Sequence, residues 1–230
     1  VHGVTSQQGY WTCSGPRSNC QSNKSIDYGV ECVSLTPRVF IVENFLSDFE
    51  ADYIISVAKD KVRPSSVGNT DGGGVRASDT RTSRNTWVPR FTSDITDSIT
   101  RRVADVLRLD EKILVSSANS EDMQVVNYKD GQKYDSHHDW GVSGYPESRF
   151  ITMLMYLNDQ FDETAGGETS FPKGGSGGGF KLTPKKGTAA FFYNLLEDGN
   201  GDDLSLHAAL PVTKGEKWLG NFWIWDPKRK

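Results

Sequence analysis

The sequence contains few cysteines and no long apolar run. Its three cysteines, Cys13, Cys20 and Cys32, all lie within the first 32 residues, and the rest of the chain has none. No apolar run approaches the roughly 18 residues that a membrane-spanning helix needs, so we expect no membrane span in this chain. The first residue is Val1 and not methionine, so the lack of a signal peptide says nothing about the compartment.

An excess of positive charge is also missing. The formal net charge is −4, from 26 Lys and Arg against 30 Asp and Glu. A general nucleic-acid binder usually carries a basic surface, so we expect no nucleic-acid partner. The 230 residues, 36% hydrophobic and 24% charged, fit one domain with a small appendage. We predict a polar, cysteine-bearing extension at residues 1–36 and one catalytic domain at residues 37–230.

The extension gives the main indication of a compartment. Residues 1 to about 34 are polar and lack periodicity, which predicts irregular structure. Cys13 and Cys20 can close a small loop and leave Cys32 unpaired, although any of the three pairings is possible. Metal binding is the less favoured alternative for three thiols without a nearby histidine. Together with the glycosylation sequon at Asn23, the cysteines favour the secretory pathway, in the lumen of the endoplasmic reticulum or Golgi, over the cytoplasm.

The rest of the chain predicts two helices followed by short strands. Ser47 and Glu50 form the capping-box signature of a helix that ends before Pro64, and residues 94–107 have apolar side chains at helical spacing. Strands are predicted at 39–42, 65–67, 123–128, 150–157, 166–172, 188–193, 205–211 and 218–225. The glycine-rich residues 68–79 predict a mobile binding loop. This order favours an α+β protein with a jelly roll, a frequent scaffold for metal sites.

One segment carries the candidate chemistry, MQVVNYKDGQKYDSHHDW at residues 123–140. It begins as a strand and delivers His137 and Asp139, which point to the same side of an extended backbone. Such a pair is two thirds of a 2-His-1-carboxylate site for Fe(II), and His207 in SLHAALP is the candidate third ligand. Alone, the pair is a weak signal, and a single histidine on an apolar strand is more often a buried core residue.

Longer motifs surround these residues. In chain order they are VENFLS, RTSRNTW, QVVNYKDGQKYDSHHD, RFITMLMYLND, GGETSFP, KGTAAFFYN, SLHAALPVTKGEKW and NFWIW. With them, residues 39–225 resemble the prolyl 4-hydroxylases, which are Fe(II)- and 2-oxoglutarate-dependent oxygenases. The resemblance implies an α+β fold, with a double-stranded β-helix (jelly-roll) core and N-terminal helices packed on it. It also implies that proline in extended proline-rich peptides is hydroxylated while 2-oxoglutarate is decarboxylated to succinate and CO2, with Fe(II), O2 and ascorbate as the other cofactors.

The resemblance assigns roles to individual residues. The iron ligands are His137, Asp139 and His207, while His138 is a neighbour and not a ligand. Lys217 pairs with the distal carboxylate of 2-oxoglutarate, since a buried ammonium needs a compensating anion. A lysine ten residues after the second histidine is typical of prolyl 4-hydroxylases, whereas lysyl hydroxylases tend to carry arginine there.

Further residues are expected around the cosubstrate and the peptide. Tyr128 and Thr152 are expected to hydrogen-bond the same distal carboxylate, and Trp223 to line the cosubstrate pocket. The residues expected near the peptide groove are Arg81, Trp87, Glu121, Tyr134 and Arg149. Two alternatives remain: an oxygenase that acts on another residue or a small molecule, and a non-catalytic jelly roll that binds proline-rich glycoproteins. The sequence leaves the oligomeric state open.

Overall fold

The computed structural model describes residues 1–13, 20–22, 25–65, 79–142 and 148–226. Its helices are α1 (Asp48–Ala58) and α2 (Asp94–Leu107), with short 3-10 turns at 90–92, 111–113 and 203–205. The strands are β1 (His2–Ser6), β2 (Trp11–Cys13), β3 (Cys20–Ser22), β4 (Ile26–Leu35), β5 (Arg38–Val42), β6 (Arg63–Pro64), β7 (Arg84–Val88), β8 (Met123–Lys129), β9 (Tyr134–His137), β10 (Arg149–Tyr156), β11 (Thr169–Phe171), β12 (Phe180–Leu182), β13 (Ala189–Tyr193), β14 (His207–Ala209) and β15 (Glu216–Trp225). Except for Asp79, the predicted loop at 68–79 lies outside the described residues, as do Asn23 and residues 66–67 of one predicted strand.

Most of the strands form two antiparallel sheets that pack face to face, while β2 and β3 pair separately as a two-stranded ribbon. The large sheet has the order β1-β4-β5-β13-β10-β15-β8-β7-β6, and the small sheet has the order β12-β11-β14-β9. One apolar cluster joins Leu154, Tyr156 and Leu219 of the large sheet to Phe171 and Leu182 of the small sheet. The predicted jelly-roll architecture is therefore confirmed.

Strand β10 lies at the centre of the large sheet, between β13 and β15. Its alternate residues face opposite sides, so that Met153 and Met155 pack with the helices while Leu154 and Tyr156 pack against the small sheet. All four side chains are buried, because this strand is covered on both faces. The continuous apolar run at residues 150–157 predicts burial on both faces of the strand, and this prediction is confirmed.

The helices cover the outer face of the large sheet. Helix α1 begins with the predicted capping box, in which the Ser47 hydroxyl accepts from the Glu50 backbone N–H and the Glu50 side chain accepts from the Ser47 N–H. Helix α2 has the predicted bounds, and its Ile99 packs in the same cluster as Ile54 of α1 and Met153 of the sheet. Neither of these described helices combines the length and apolar character needed to cross a bilayer.

The expectation of irregular structure in residues 1–34 is wrong. Strand β1 pairs with β4, and β4 pairs with β5, which extends the large sheet by two strands. On β4, Tyr28, Val30 and Ser34 are buried among exposed neighbours, an alternation that the polar composition concealed. The boundary predicted after residue 36 falls in the turn between Leu35 and Arg38, which are paired. Whether residues 37–230 fold without this extension stays a prediction.

The extension also contacts a buried ion pair between the helices. Arg102 of α2 and Glu50 of α1 have no exposed side-chain surface and form a hydrogen-bonded salt bridge. Trp11 donates its backbone N–H to Glu50 at 2.8 Å and its indole N–H to Ser98 at 3.0 Å. Because a buried charge needs its partner and its hydrogen bonds, this cluster fixes the extension and both helices relative to one another.

Candidate metal centre and adjoining cavity

Neighbouring strands of the small sheet bring the two predicted histidine ligands together. His137 ends β9, His207 begins β14, and the two residues are direct cross-strand partners. Asp139 follows two residues after His137, and one ligand atom from each of the three side chains lies within 4.8 Å of the others. Each histidine Nε2 is 3.7 Å from one Asp139 oxygen, Oδ1 for His137 and Oδ2 for His207. Within the described chain, this is the one cluster of His, Cys, Asp or Glu with such geometry.

Hydrogen bonds set which nitrogen of each imidazole faces the centre. His137 Nδ1 is 2.8 Å from the Asp135 carbonyl oxygen, and His207 Nδ1 is 3.0 Å from the Ser205 carbonyl oxygen. A carbonyl can only accept, so each Nδ1 carries the proton and donates it. Each Nε2 therefore presents a lone pair to the centre, as in metal sites whose histidines are oriented by carbonyls.

The electrostatics of the cluster also suit a divalent cation. Burial, followed by the charge of His207, lowers the pKa of His137 to about 3, and burial likewise lowers the pKa of His207. Burial raises the pKa of Asp139, but the imidazoles of His207 and His137, which are protonated at acid pH, and the charge of Arg149 outweigh it and hold that pKa below its usual range. At neutral pH the cluster thus holds two neutral imidazoles and one carboxylate, the ligand set that Fe(II) accepts in 2-His-1-carboxylate sites.

Two hydrogen-bond donors from the large sheet orient the Asp139 carboxylate. The Thr152 hydroxyl donates to Oδ2 at 2.7 Å, and the Trp223 indole N–H donates to the same oxygen at 2.8 Å. Trp223 also lines the cavity beside the centre, and its predicted contact with the cosubstrate there stays a prediction. The role predicted for Thr152 is corrected, since its hydroxyl contacts the metal-ligand carboxylate.

Lys217 lies at the other end of the same face, as the register of β15 shows. Thr152 pairs with Trp223, whereas Lys217 lies six residues earlier on β15 and pairs with Tyr128. The Lys217 side chain is 3% exposed, and its Nζ donates to the Gly167 carbonyl at 2.6 Å. Burial lowers its pKa to about 7. Among the described residues no carboxylate lies within ion-pair distance of this amine, so the position favours an anionic ligand.

The cavity between Lys217 and the metal centre is lined by thirteen residues. They are Arg81, Tyr128, Tyr134, His137, Asp139, Leu154, Thr169, His207, Ala208, Ala209, Leu219, Asn221 and Trp223. Lys217 itself stands behind this lining, with its Nζ 3.5 Å from the Thr169 hydroxyl. Burial raises the pKa of Tyr128, so its hydroxyl keeps its proton and can donate to an anion. Thr169 was missed from the sequence, although it lies in the quoted GGETSFP motif and is the buried hydroxyl nearest to Lys217.

The five residues predicted near the peptide groove form two groups, of which the first, Arg81 and Tyr134, lines this cavity and the second contacts Trp223 of its lining. In the first, Tyr134 stacks on His137 with ring centroids 3.6 Å apart, and the Arg81 guanidinium lies 4.7 Å from the Tyr134 ring. Arg81 is buried and donates to Gln124 at 2.8 Å, so it also supports the cavity wall. Tyr134 thus lies against a candidate metal ligand with Arg81 on its ring, while contact of either residue with a substrate stays a prediction.

The second group surrounds Trp223. Arg149 makes a bidentate salt bridge with Glu121, at 2.6 and 3.0 Å, and its guanidinium lies 3.9 Å from the Trp223 ring. Its Nη1 is 3.7 Å from Asp139 Oδ1. Trp87 lies 6.1 Å from Trp223 and is 45% exposed. The structure thus brings all five residues close to the centre, while their roles in binding a peptide stay predictions. His138 lies outside the cluster, against Trp140 and Asp203.

A jelly roll whose small sheet carries a 2-His-1-carboxylate cluster beside a cavity with a buried lysine defines a class of non-haem Fe(II) oxygenase. Residues 123–225 match the family model of the 2OG-Fe(II) oxygenase superfamily. Prolyl 4-hydroxylase 2 of Arabidopsis thaliana is 36% identical over 216 residues, covering 85% of this chain and 69% of the relative. The human prolyl 4-hydroxylase subunit alpha-1 is 34% identical over 196 residues, covering 82% of this chain and 34% of the relative.

Solved structures of prolyl hydroxylases also resemble this chain. The viral collagen prolyl hydroxylase of Paramecium bursaria Chlorella virus-1, in a complex with 2-oxoglutarate, superposes with a TM-score of 0.63 at 32% identity, covering 81% of this chain and 95% of that one. A prolyl hydroxylase from Trichoplax adhaerens, in complex with a peptide fragment, has a TM-score of 0.61 at 17% identity and shares the fold. The chain belongs to the prolyl 4-hydroxylase family of 2-oxoglutarate- and Fe(II)-dependent oxygenases.

Proposed function

We propose that the protein is a peptidyl-prolyl 4-hydroxylase that acts on extended, proline-rich peptides. The observation that carries the proposal is the position of the His137–Asp139–His207 cluster on one cavity, with the buried Lys217 amine directly behind Thr169 of its lining. Among the described residues, this amine has no carboxylate within ion-pair distance. The donor set fits Fe(II), and the amine fits the distal carboxylate of 2-oxoglutarate. When bound, these two groups supply the oxidation, in which O2 gives one oxygen atom to proline and one to succinate while CO2 leaves.

The residues of the chain bind and orient the reactants. His137, Asp139 and His207 would hold Fe(II) as a 2-His-1-carboxylate set, which leaves positions open for other ligands. The Lys217 amine and the Tyr128 and Thr169 hydroxyls form the donor set for the distal carboxylate. The large sheet fixes the lysine and the tyrosine, which are cross-strand partners, so the cosubstrate meets a preformed site.

The surroundings of the cavity suit a stiff peptide. Tyr134 in the lining and the exposed Trp87, which lies against Trp223 of the lining, provide aromatic surfaces of the kind that proline-rich segments bind. Such peptides already populate the polyproline II conformation, which lowers the entropy lost on binding. The Arg149–Glu121 ion pair between them offers polar groups to the peptide backbone.

Turnover with a defined peptide tests this function. The enzyme is incubated with Fe(II), 2-oxoglutarate and ascorbate, with and without a short proline-rich peptide, and succinate and the peptide mass are measured. We expect peptide-stimulated succinate and a gain of one oxygen on proline. His207→Ala should abolish both signals, while His2→Ala, on the distant strand β1, is the matched control and should not.

The same assay separates the alternatives. Oxygen on another residue, or turnover with small molecules alone, would identify an oxygenase with a different substrate. A peptide that binds without succinate release, with metal and 2-oxoglutarate present, would identify the non-catalytic binder. Omission of ascorbate tests its proposed role, since repeated turnover should then decline faster.

We further propose that the protein works in the lumen of the secretory pathway. The backbone register places Cys13 directly opposite Cys20 in the β2–β3 ribbon, which supports pairing between these two, and Cys32 is a free thiol. One disulfide, one free thiol and a glycan at Asn23 in protein from a eukaryotic secretory host, read by mass spectrometry, are the expected outcome. Three free thiols and a bare Asn23 would favour the cytoplasm instead.

A further inference from the structure

Asn194 is a buried amide that the sequence analysis did not single out. It directly follows β13 and has no exposed surface. Its Nδ2 donates to the Thr152 hydroxyl at 2.8 Å. Within the described part of the chain, its Oδ1 has no hydrogen-bond partner. An unsatisfied buried carbonyl costs stability, so packing alone is a poor explanation for an amide at this position.

Donor and acceptor chemistry gives this contact a direction. The Asp139 carboxylate can only accept hydrogen bonds. The Thr152 hydroxyl must therefore donate its single proton to Oδ2, 2.7 Å away. The threonine oxygen is then left as an acceptor, which the Asn194 N–H satisfies. With the amide flipped, the Asn194 oxygen would compete for the same proton. The hydrogen bonds therefore run from Asn194 through Thr152 to Asp139.

The backbone of Asn194 is fixed on both sides. Its N–H donates to the Phe150 carbonyl at 2.9 Å, and its carbonyl accepts from the Asp202 N–H at 2.8 Å. Asp139, in contrast, lies beyond the end of β9 and outside any strand. Its carboxylate thus depends on side-chain contacts for its orientation. One of these contacts is the hydrogen bond from Thr152, and the fixed position of Asn194 holds Thr152 in place.

We propose that Asn194 is a positioning residue for the metal centre, acting through Thr152 on the orientation of Asp139. The proposal rests on the metal centre and not on the identity of the substrate. Residues that orient metal ligands typically change metal affinity by 10- to 100-fold when they are replaced. A purely structural amide would instead change folding stability and leave metal affinity unchanged.

Metal binding by the metal-free enzyme tests the proposal without turnover. The dissociation constant for Mn(II) is measured by calorimetry, and the melting temperature of the metal-free protein is measured in parallel. Asn194→Leu removes the donor and the unsatisfied oxygen at similar volume. We expect Mn(II) affinity to fall by about 10- to 100-fold while the melting temperature stays level or rises. Asn127→Leu, at a buried asparagine bonded to Glu216, is the matched control and should bind Mn(II) like the wild type.

A double-mutant cycle checks the path through Thr152. In a Thr152→Val background the Asn194 substitution should change Mn(II) affinity by less than about twofold, because its route to Asp139 is already lost. Thr152→Ser keeps the hydroxyl and should retain most of the affinity. Wild-type affinity in Asn194→Leu, or an equal loss in both backgrounds, would overturn the proposal. If the leucine variant does not fold, Asn194→Ala is read in the same way.

Discussion

Raising the pH from 7 to 9 should weaken the binding of 2-oxoglutarate, because the amine that receives its distal carboxylate is neutral in the empty pocket above pH 7. Burial lowers the pKa of Lys217 from its ordinary 10.5 to about 7. At about 1.4 kcal/mol per pKa unit, this net shift, which the charge of Glu168 partly opposes, makes the ammonium about 5 kcal/mol less favourable than in water. A bound carboxylate stabilises the charged form and raises the pKa again.

The sign and size of the effect follow from that linkage. Below pH 7 the amine is already protonated, and the affinity should be independent of its titration. Above pH 7 each bound 2-oxoglutarate must bring one proton to Lys217, so the affinity should fall about tenfold per pH unit until the pKa of the complex is reached. Relative to its value well below pH 7, we therefore expect the dissociation constant to be about tenfold larger at pH 8 and about a hundredfold larger at pH 9.

Calorimetry of the Mn(II)-loaded protein measures both the dissociation constant for 2-oxoglutarate and the number of protons taken up on binding. Titrations in buffers of different ionisation enthalpy should show an uptake approaching one proton at pH 8 and above. Lys217→Arg keeps a permanent charge and should show no such dependence, whatever its absolute affinity. Lys214→Gln alters an exposed lysine on the same segment, paired with Asp162, and should retain the wild-type profile. An affinity that is constant from pH 7 to 9, with no proton uptake, would refute the role given to Lys217.

Three further predictions concern stability. Glu50→Ala leaves the Arg102 guanidinium buried without its partner, so urea unfolding should show a loss of about 3–5 kcal/mol; a loss below 1 kcal/mol would contradict the buried ion pair. Gly201→Ala places a methyl group within 2.5 Å of the Trp140 ring, so we expect a loss of about 1–3 kcal/mol in the same assay, and wild-type stability would show that the ring moves freely. Mn(II) at a hundredfold excess over its dissociation constant should stabilise the protein by about 2.7 kcal/mol, an effect that chelation reverses and that should be absent in His137→Ala.

Local patterns predicted those parts of the fold that depend on neighbouring residues. The capping box at Ser47 and the apolar spacing of residues 94–107 identified both helices, because helical hydrogen bonds join residues four apart. The continuous apolar run at residues 150–157 likewise identified a strand buried on both faces. His137 and Asp139 are two residues apart, so their shared direction was also a local property.

The predictions that were wrong or missing concern contacts whose geometry depends on strand register. Thr152 and Thr169 are both buried hydroxyls, and the sequence does not show which one lies at the lysine end of the cavity. The pairing of Thr152 with Trp223 places it at the metal end, whereas Thr169 is brought to Lys217 by the facing sheet. Strand β4 was missed for a related reason, since its few buried residues become recognisable only once β5 supplies a partner.

The pairing of β4 with β5 also determines where the chain can be cut. Val30, Glu31 and Cys32 pair with the backbone of Val42, Ile41 and Phe40. Removal of the residues before Arg38 would leave this backbone as an open, largely apolar edge of the large sheet. Such edges template the addition of strands from other molecules. A shortened enzyme of this kind would keep every metal ligand but would be prone to edge-to-edge aggregation. By covering the edge of β5, the polar extension therefore favours solubility.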